Sequence, residues 1–298
     1  MAAVLCLGMA VWDRILSLPA IPTAPVKVYA SSLTETGGGP AATASVAIAR
    51  LGGEARFAGR VGEDPDGARI AEELARFGVD VAQLAHLPGA RSGTSSVGVD
   101  PAGERLILNF PGVGLHVPPD WVEWDAALAG CGCVLADMGW PLAAARAFAE
   151  AAARGVPTLL DADLNPNPEA AALVPLADHA VFSEPGLAAL TGIGDPAAAL
   201  RSLALRATAG VTLGPRGYLW RDADGMHEAP GFPVDAVDTL GAGDCFHGAL
   251  ALAIAEGLPM DRAARFANAA AALKCTRPGG RLGLPARAEV EALLRRGA

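Results

Sequence analysis

The stretch Val237-Asp238-Thr239-Leu240-Gly241-Ala242-Gly243-Asp244, followed by a helical pattern at 245–256, decides how the whole chain is interpreted. Small residues at 241–243 allow the backbone N–H groups of Gly241, Ala242 and Gly243 to converge at a helix start, where the helix dipole adds positive potential. Asp244 then lies in the first helical turn. The stretch predicts a site that holds a phosphoryl group and removes a proton from a hydroxyl. The alternative is a glycine-rich turn with Asp244 as an ordinary first-turn residue.

Composition excludes several classes of protein. The 298 residues, of which 52% are hydrophobic, are enough for one α/β domain with a small appendage. No stretch has the roughly 20 apolar residues that span a bilayer, and residues 1–11 lack the features of a signal peptide. The net charge of -9 argues against nucleic acid as a partner. The five cysteines have no metal or disulfide spacing, which indicates reduced thiols and a cytoplasmic location.

Short apolar strands alternate with alanine-rich amphipathic helices, which is typical of a parallel sheet covered on both faces. Central strands are predicted at 3–8, 55–59, 133–136, 158–162, 179–183 and 210–213. Helices are predicted at 43–51, 66–77, 141–154, 185–191, 196–205, 245–256, 260–272 and 286–295. The predicted fold class is α/β, with a mainly parallel central sheet.

Two segments, about 14–36 and 92–110, break this alternation. They show alternating patterns without helix signals, as in Val26-Lys27-Val28-Tyr29 and in 94–99 and 105–110, with a turn at 100–103. These patterns predict a second, small β-sheet. Because a small sheet with one apolar face is unfavourable in water, contact with a partner is expected.

Further motifs precede the 237–244 stretch in a fixed order. They are Leu7-Gly8-Met9-Ala10-Val11-Trp12-Asp13, Gly37-Gly38-Gly39-Pro40-Ala41-Ala42-Thr43, Arg50-Leu51-Gly52 and Gly59-Arg60-Val61-Gly62-Glu63-Asp64-Pro65-Asp66-Gly67. With DT-x-GAGD-x-F at 238–246, the chain resembles the ribokinase (PfkB) family of carbohydrate kinases from end to end. The resemblance implies a single ribokinase-like domain over 1–298, a three-layer α/β/α sandwich. A small β lid from the two alternating segments would cover the sugar and form a homodimer interface.

The resemblance also implies a reaction, the transfer of the γ-phosphoryl group of ATP to a sugar primary hydroxyl. Asp244 would be the general base, and the 241–243 N–H groups would hold the phosphoryl oxygens. ATP and Mg²⁺ are the implied cofactors. Asp238 is expected to help bind a monovalent cation such as K⁺, with a turn cap as the alternative.

Other site residues follow from the same family motifs. For the sugar they are Asp13, Gly38, Gly39 and Thr43. For the nucleotide they are Thr212, Gly214 and Gly217 of a T-x-G-x-x-G turn, with Asn268 and Gly279. Asn268 could alternatively be a polar residue on an alanine-rich helix. Asp161 and Asp163, at a strand end, lie where open α/β sheets bind ligands; their roles are unassigned, and capping is a fair alternative.

The chain departs from the family pattern at several positions. Ser183 and Gly186 replace the Asn and Glu of an N-x-x-E motif that organises Mg²⁺, and Glu184 could substitute from a shifted position. Val11 stands where ribokinases have a ribose-contacting Asn, and Thr43 stands where many members have Asn. Ribose is therefore disfavoured as the substrate.

The nature of the sugar is addressed by the stretches at 37–44, 182–188 and 272–281, which look like the branch that contains bacterial sulfofructose kinases. Lys27 and Asn109, with Arg105, are expected to meet an anionic group of a fructose-type ketose phosphorylated at O1. Lys27 could instead be a solvated residue of an edge strand. Gly139 replaces an arginine of that branch, which favours an uncharged ketose or an anion held by Arg60.

Two further alternatives stay open at this point. One is a kinase of a nucleoside or another small alcohol. The other is a catalytically silent relative that only binds sugar or nucleotide, for which the changes at Ser183 and Gly186 argue and the intact Asp244 argues against.

Overall fold

Residues 1–164, 168–203 and 208–296 are described by a computed structural model of the chain. The strands are β1 (Ala3–Gly8), β2 (Val11–Ser17), β3 (Ser32–Gly38), β4 (Glu54–Gly62), β5 (Asp80–Leu87), β6 (Gly93–Val99), β7 (Arg105–Phe110), β8 (Cys131–Asp137), β9 (Thr158–Ala162), β10 (His179–Ser183), β11 (Thr208–Thr212), β12 (Tyr218–Arg221) and β13 (Met226–Ala229). The helices are α1 (Pro40–Arg50), α2 (Pro65–Arg76), α3 (Trp124–Leu128), α4 (Pro141–Ala153), α5 (Pro168–Ala171), α6 (Glu184–Thr191), α7 (Pro196–Ser202), α8 (Ala242–Ala255), α9 (Met260–Cys275) and α10 (Arg287–Arg296).

The large sheet has the strand order β13-β12-β11-β10-β9-β8-β1-β4-β5. Its strands pair in parallel, except that β12 and β13 are antiparallel to their neighbours. Helices cover both faces. One apolar layer includes Val46 of α1 and Leu250 of α8, and the other includes Ala147 of α4 and Leu187 of α6. The predicted α/β/α sandwich is confirmed, and so are its six central strands.

A separate small sheet has the order β3-β2-β6-β7, with β2 and β6 parallel. The predicted hairpin at 92–110 is confirmed as β6 and β7. The prediction of a strand through Val26-Lys27-Val28-Tyr29 is wrong, because no strand is assigned between 18 and 31. The prolines at 19, 22 and 25 lack the backbone N–H that strand pairing needs, so β2 does not continue towards this stretch.

Helix α8 begins at Ala242, three residues earlier than the predicted start at 245. Gly241 precedes it with a φ of 78°, a left-handed conformation that glycine adopts without strain. Asp244 therefore lies in the first turn, as predicted. The predicted helix 196–205 is observed as α7 up to residue 202, and residues 204–205 lie outside the described residues. Among the described residues, no helix is both long and apolar enough to cross a membrane.

Candidate active site

A cavity of about 1390 Å³ opens between the carboxyl ends of the large sheet and the small sheet. Asp137, Asp161, Ser183 and Thr212, which end or nearly end β8, β9, β10 and β11, all line it. Ligands of open α/β sheets bind at this edge, because the strand ends leave a crevice there. The volume is large enough for a sugar and a nucleotide side by side.

The turn before α8 forms the floor of this cavity, and Gly241, Ala242 and Gly243 all line it. The Ala242 N–H donates to the Thr239 carbonyl at 3.2 Å, so the turn itself engages one of the three predicted anion donors. A side chain added at Gly243 would meet no atom within 4 Å. The space above Gly243 is thus open for an anion.

Asp244 lies beside that open space. Burial, the main cause, and the nearby Asp161 carboxylate together raise the pKa of its carboxyl to about 8, although His247 and Arg281 lower it. His247 Nδ1 lies 3.0 Å from Asp161 Oδ2, and both side chains are buried. A carboxyl whose pKa is near neutral has the basicity that proton abstraction from a hydroxyl requires.

Asp13 faces the same cavity from β2 and is only 8% exposed. Burial raises the pKa of Asp13 to about 6, although Ser95 and Arg281 lower it. A Cβ at Gly38 would lie 2.0 Å from Asp13 Oδ2, so only glycine leaves room for this carboxylate. Next to it, Ser95 Oγ donates to Asn109 Oδ1 at 3.3 Å. These groups form a set of oxygens suited to sugar hydroxyls.

Arg281 connects the two sides of the cavity, and sequence reasoning did not find it. Its Nη2 donates to the Gly38 carbonyl at 2.7 Å and to Thr43 Oγ1 at 3.3 Å, while its Nη1 pairs with Glu73 Oε2 at 3.3 Å. Glu73 in turn accepts the Gly37 N–H at 2.6 Å. The sugar segment, residues 37–43, is thereby fixed to the loop that follows α9.

Asp137, at the end of β8, fixes the neighbouring loops. Its carboxylate accepts the N–H groups of Met9 at 2.8 Å, Ala41 at 3.0 Å and Gly139 at 2.7 Å. Burial nevertheless leaves the pKa of Asp137 raised. Its place at a strand end is the signal by which sequence reasoning could have found it.

Arg60 lines the cavity, but its guanidinium is hydrogen-bonded to backbone carbonyls of the protein. It donates to the carbonyls of Leu115 at 2.9 Å, Gly8 at 2.8 Å and Gly139 at 2.8 Å, and it stacks on the Trp140 ring. The hypothesis that Arg60 holds an anionic group of the substrate is therefore not supported.

The opposite end of the cavity carries the residues predicted for the nucleotide. Thr212, Gly214, Gly217 and Asn268 line it, with an apolar wall formed by Phe232, Pro233, Val234, Ala271 and Ala272. Asn268 Nδ2 donates to the Ala229 carbonyl at 2.9 Å and to the Pro230 carbonyl at 3.2 Å, so it fixes that wall. Gly279 does not line the cavity, whereas its neighbour Gly280 does.

Comparison with known proteins decides the family. The model of the pfkB family carbohydrate kinases matches residues 1–287. The chain belongs to the pfkB family. It is a phosphotransferase that acts on a sugar hydroxyl.

Several relatives of this pfkB kinase are similar over nearly their whole length. The ribokinase of Bacillus subtilis (strain 168) is 30% identical over 97% of this chain and 98% of its own. The fructokinase of Vibrio alginolyticus is 31% identical over 87% and 92%. Among solved structures, a candidate ribokinase from Agrobacterium tumefaciens has 39% identity and a TM-score of 0.93 over 99% and 98%. The Arabidopsis thaliana ribokinase, complexed with ribose and ATP, has 26% identity and a TM-score of 0.86 over 99% of both chains.

Besides Gly279, the predicted residues Lys27, Asp238 and Glu184 do not line the cavity of this pfkB kinase. Lys27 is on an exposed loop, with its Nζ 5.2 Å from the centre of the Tyr29 ring. Both Glu184 carboxylate oxygens accept from Arg216 Nη2 at 2.7 Å, outside the cavity lining. The structure therefore does not support the predicted contacts of Lys27 with the sugar or of Glu184 with Mg²⁺.

Ser183, which replaces the family Asn, has a different partner. Its Oγ contacts Asp163 Oδ1 and also accepts the Gly186 N–H at 3.1 Å, as the N-cap of α6. Asp163 lines the cavity of this pfkB kinase, so a carboxylate stands there although the N-x-x-E motif is missing.

Proposed function

We propose that this pfkB kinase transfers the γ-phosphoryl group of ATP to a primary hydroxyl of an uncharged, fructose-type ketose. The single observation that carries the proposal is the meeting of Asp13 and Asp244 in one cavity with the 241–243 turn. Asp13 and the Ser95–Asn109 pair would hold sugar hydroxyls, and Asp244 would accept the proton of the attacking hydroxyl. The Gly38-Gly39 backbone and Thr43 would border the same sugar.

The charges at the sugar end favour a substrate without an anionic group. The carboxylates of Asp13 and Asp137 both face this end of the cavity. Arg60 is committed to three carbonyls, and Lys27 does not line the cavity. Arg105 lines the cavity and donates to Thr239 Oγ1. A sulfonate or phosphate beside the Asp13 carboxylate would be repelled by it, which costs binding free energy.

Gly139 adds to this argument against the sulfofructose branch. A Cβ at this position would lie 2.9 Å from the Met9 Cβ and 3.0 Å from Asp137 Oδ1. An arginine would therefore need a shift of the Met9 backbone, and this chain has no space prepared for such an anion donor.

A ketose is favoured over ribose because Val11 presents only methyl groups to the cavity, where a ribose-contacting Asn would offer hydrogen bonds. Fructokinases are among the relatives, as in Vibrio alginolyticus and in rice, Oryza sativa subsp. japonica, whose fructokinase-1 is 30% identical over 89% of this chain.

ATP fits the apolar end of the cavity, where the wall of Phe232 and Val234 suits an adenine ring and Asn268 fixes the backbone behind it. Mg²⁺ would enter with the nucleotide, since the described residues contain no cluster of three metal-ligating side chains. Asp163, in contact with Ser183, is the carboxylate placed to orient water around that ion.

The experiment is a substrate panel, with ADP release coupled to a spectroscopic readout. Fructose should give a kcat/KM at least tenfold above those of ribose, fructose 6-phosphate and 6-sulfofructose. A preference for either anionic ketose would refute the uncharged substrate. A preference for a nucleoside would refute the sugar assignment, and the Asp244 mechanism would then be tested separately by substitution.

We also propose that the small sheet forms a homodimer interface. Exposed apolar side chains lie on both edge strands of the small sheet, namely Leu33 on β3 and Leu106, Leu108 and Phe110 on β7. Such side chains are unfavourable in water unless a second copy covers them. Light scattering should show a dimer for the wild type and a larger monomer fraction for Leu108→Glu. The control Leu190→Glu, an exposed residue of α6, should remain dimeric. A monomeric wild type would contradict the proposal.

A further inference from the structure

Lys274, in the last turn of α9, is a fully buried cation next to the 238–243 turn. Its Nζ donates to Asp238 Oδ2 at 3.0 Å, to the Asp238 carbonyl at 3.0 Å and to the Arg277 carbonyl at 3.3 Å. The Asp238 carboxylate also accepts the N–H groups of Leu240 at 2.8 Å and Gly280 at 3.1 Å. One ammonium thus joins two loops that both line the cavity.

Without the ammonium, the same oxygens would suit a monovalent cation. One carboxylate oxygen and two carbonyl oxygens converge on a single positive charge, which is the kind of donor set that alkali ions accept. Burial raises the pKa of Asp238, but the hydrogen bonds from Leu240 and Gly280 and the charge of Lys274 outweigh it, so that the pKa lies below its usual value. The carboxylate is therefore ionised and already neutralised.

The expectation of K⁺ at Asp238 does not fit this arrangement. An alkali ion placed on the same three oxygens would stand where the Nζ stands, and two adjacent positive charges repel each other strongly when buried. Lys274 is completely inaccessible to solvent, so it has no open path by which to leave.

We propose that Lys274 is a built-in cation that replaces a dissociable K⁺ and makes this kinase independent of monovalent ions. Lys274 is a positioning residue, because it acts through the turn and not on the substrate. The proposal rests on the proposed role of residues 241–243 in holding the transferred phosphoryl group.

The connection from Lys274 to the site is short. The Val237 and Asp238 N–H groups donate to the Cys275 carbonyl at 2.8 Å and 3.1 Å, so the start of the turn is hydrogen-bonded to the end of α9. On the other side, Gly280 is bound to Asp238 and is followed by Arg281, which reaches the Gly38 carbonyl. Loss of the ammonium would loosen the phosphoryl-holding turn and the sugar segment together.

The first experiment compares the wild type in KCl, NaCl and tetramethylammonium chloride at equal ionic strength. Both kcat and the melting temperature should agree among the three salts, kcat within twofold. A K⁺ requirement above tenfold, or a melting temperature raised specifically by K⁺, would overturn the proposal. The melting temperature gives this answer even without a turnover assay, so a failure of the proposed substrate and a failure of the built-in cation remain distinguishable.

The second experiment uses Lys274→Met, with Lys274→Gln as a milder variant if the first does not fold. We expect kcat to fall at least tenfold in tetramethylammonium chloride and to recover at least fivefold in KCl or NH₄Cl. A merely structural lysine would give a loss that no cation rescues selectively, and that result would overturn the proposal. Arg154→Met, which removes an exposed cation at the end of α4, is the matched control and should show no selective rescue.

Discussion

The two ends of the reaction cavity are built on different principles. At the base end, the turn that precedes Asp244 is held by the buried Lys274–Asp238 ion pair and by the N–H groups of Leu240 and Gly280, which donate to Asp238. At the lid end, strand β7 is exposed along its whole length, and its polar residues face an open cavity. The base end is thus pre-organised for chemistry, whereas the lid end depends on what covers it. Substitutions at the base end should therefore have the larger effects.

The largest effect is expected at the base itself. Asp244→Asn keeps the shape of the side chain but removes the proton acceptor, so kcat should fall by about 10³-fold while ATP affinity changes little. Steady-state ADP release gives kcat, and calorimetric titration gives the ATP dissociation constant. A variant that kept more than a tenth of the wild-type kcat would show that another group accepts the proton.

The next largest loss of activity is expected at Gly38, which lies against the Asp13 carboxylate and accepts a hydrogen bond from Arg281. Gly38→Ala places a Cβ 2.0 Å from Asp13 Oδ2, so the carboxylate must move by about an ångström. A displacement of this size costs about 10²-fold in kcat/KM for the sugar, with the KM for ATP unchanged.

Gly194→Ala provides the control for Gly38→Ala, because an added Cβ there meets nothing within 4 Å. Both variants should be measured over a full sugar titration. If Gly38→Ala raised the KM for ATP as much as it lowered kcat/KM for the sugar, the substitution would act on more than the binding of the sugar.

The pKa of Asp244, which burial and Asp161 raise to about 8, should make the reaction dependent on pH. Only the ionised carboxylate accepts a proton, so kcat/KM for the sugar should fall about tenfold for each pH unit below this value. Asp161→Asn removes one cause of the shift and should move the midpoint to lower pH. A flat profile of kcat/KM between pH 6 and 8 would contradict the assignment.

The raised pKa of Asp244 also makes the stability of the fold depend on pH. The folded pKa of Asp244 lies above the ordinary value of 3.8, so folding requires proton uptake between these two values. Asp244 therefore destabilises the fold increasingly as the pH rises from 4 to 8. Asp244→Asn should melt at a higher temperature than the wild type at pH 8 and at a similar temperature at pH 4.

The sequence allowed the body of the fold to be predicted because its strands are continuous apolar runs between capped helices. Strands β5, β12 and β13 were not predicted. The edge strand β5 is partly exposed with mixed polarity, and β12 and β13 have only four residues each, so their periodicity is weak. The strand predicted at 26–29 was wrong because four alternating residues are too short a signal, and the stretch follows a proline-containing segment with no assigned strand.

Site residues were predictable where a local motif carries the chemistry, as for Asp244 and Asp13. Arg281 and Glu73 were not, because their ion pair joins positions 208 residues apart and no local pattern records such a contact. Lys274 is one of only two lysines in the chain, and no local motif assigns it a role. Its role depends on a donor set from Asp238 and Arg277 that appears only after folding.

The smallest effects separate two acidic residues next to Ser183. Asp163 lines the cavity and contacts the Ser183 hydroxyl, whereas Glu184 is bound to Arg216 outside it. Residues that orient metal-bound water typically change metal affinity by about tenfold or more when replaced, so Asp163→Asn should raise the Mg²⁺ concentration for half-maximal activity by about that factor. Glu184→Gln breaks only an exposed ion pair, worth about 0–1 kcal/mol, and should change the Mg²⁺ requirement less than twofold. Initial rates over a Mg²⁺ titration at saturating ATP make the comparison. The reverse order of effects would return the Mg²⁺ role to Glu184 and mean that the base end reorganises when the nucleotide binds.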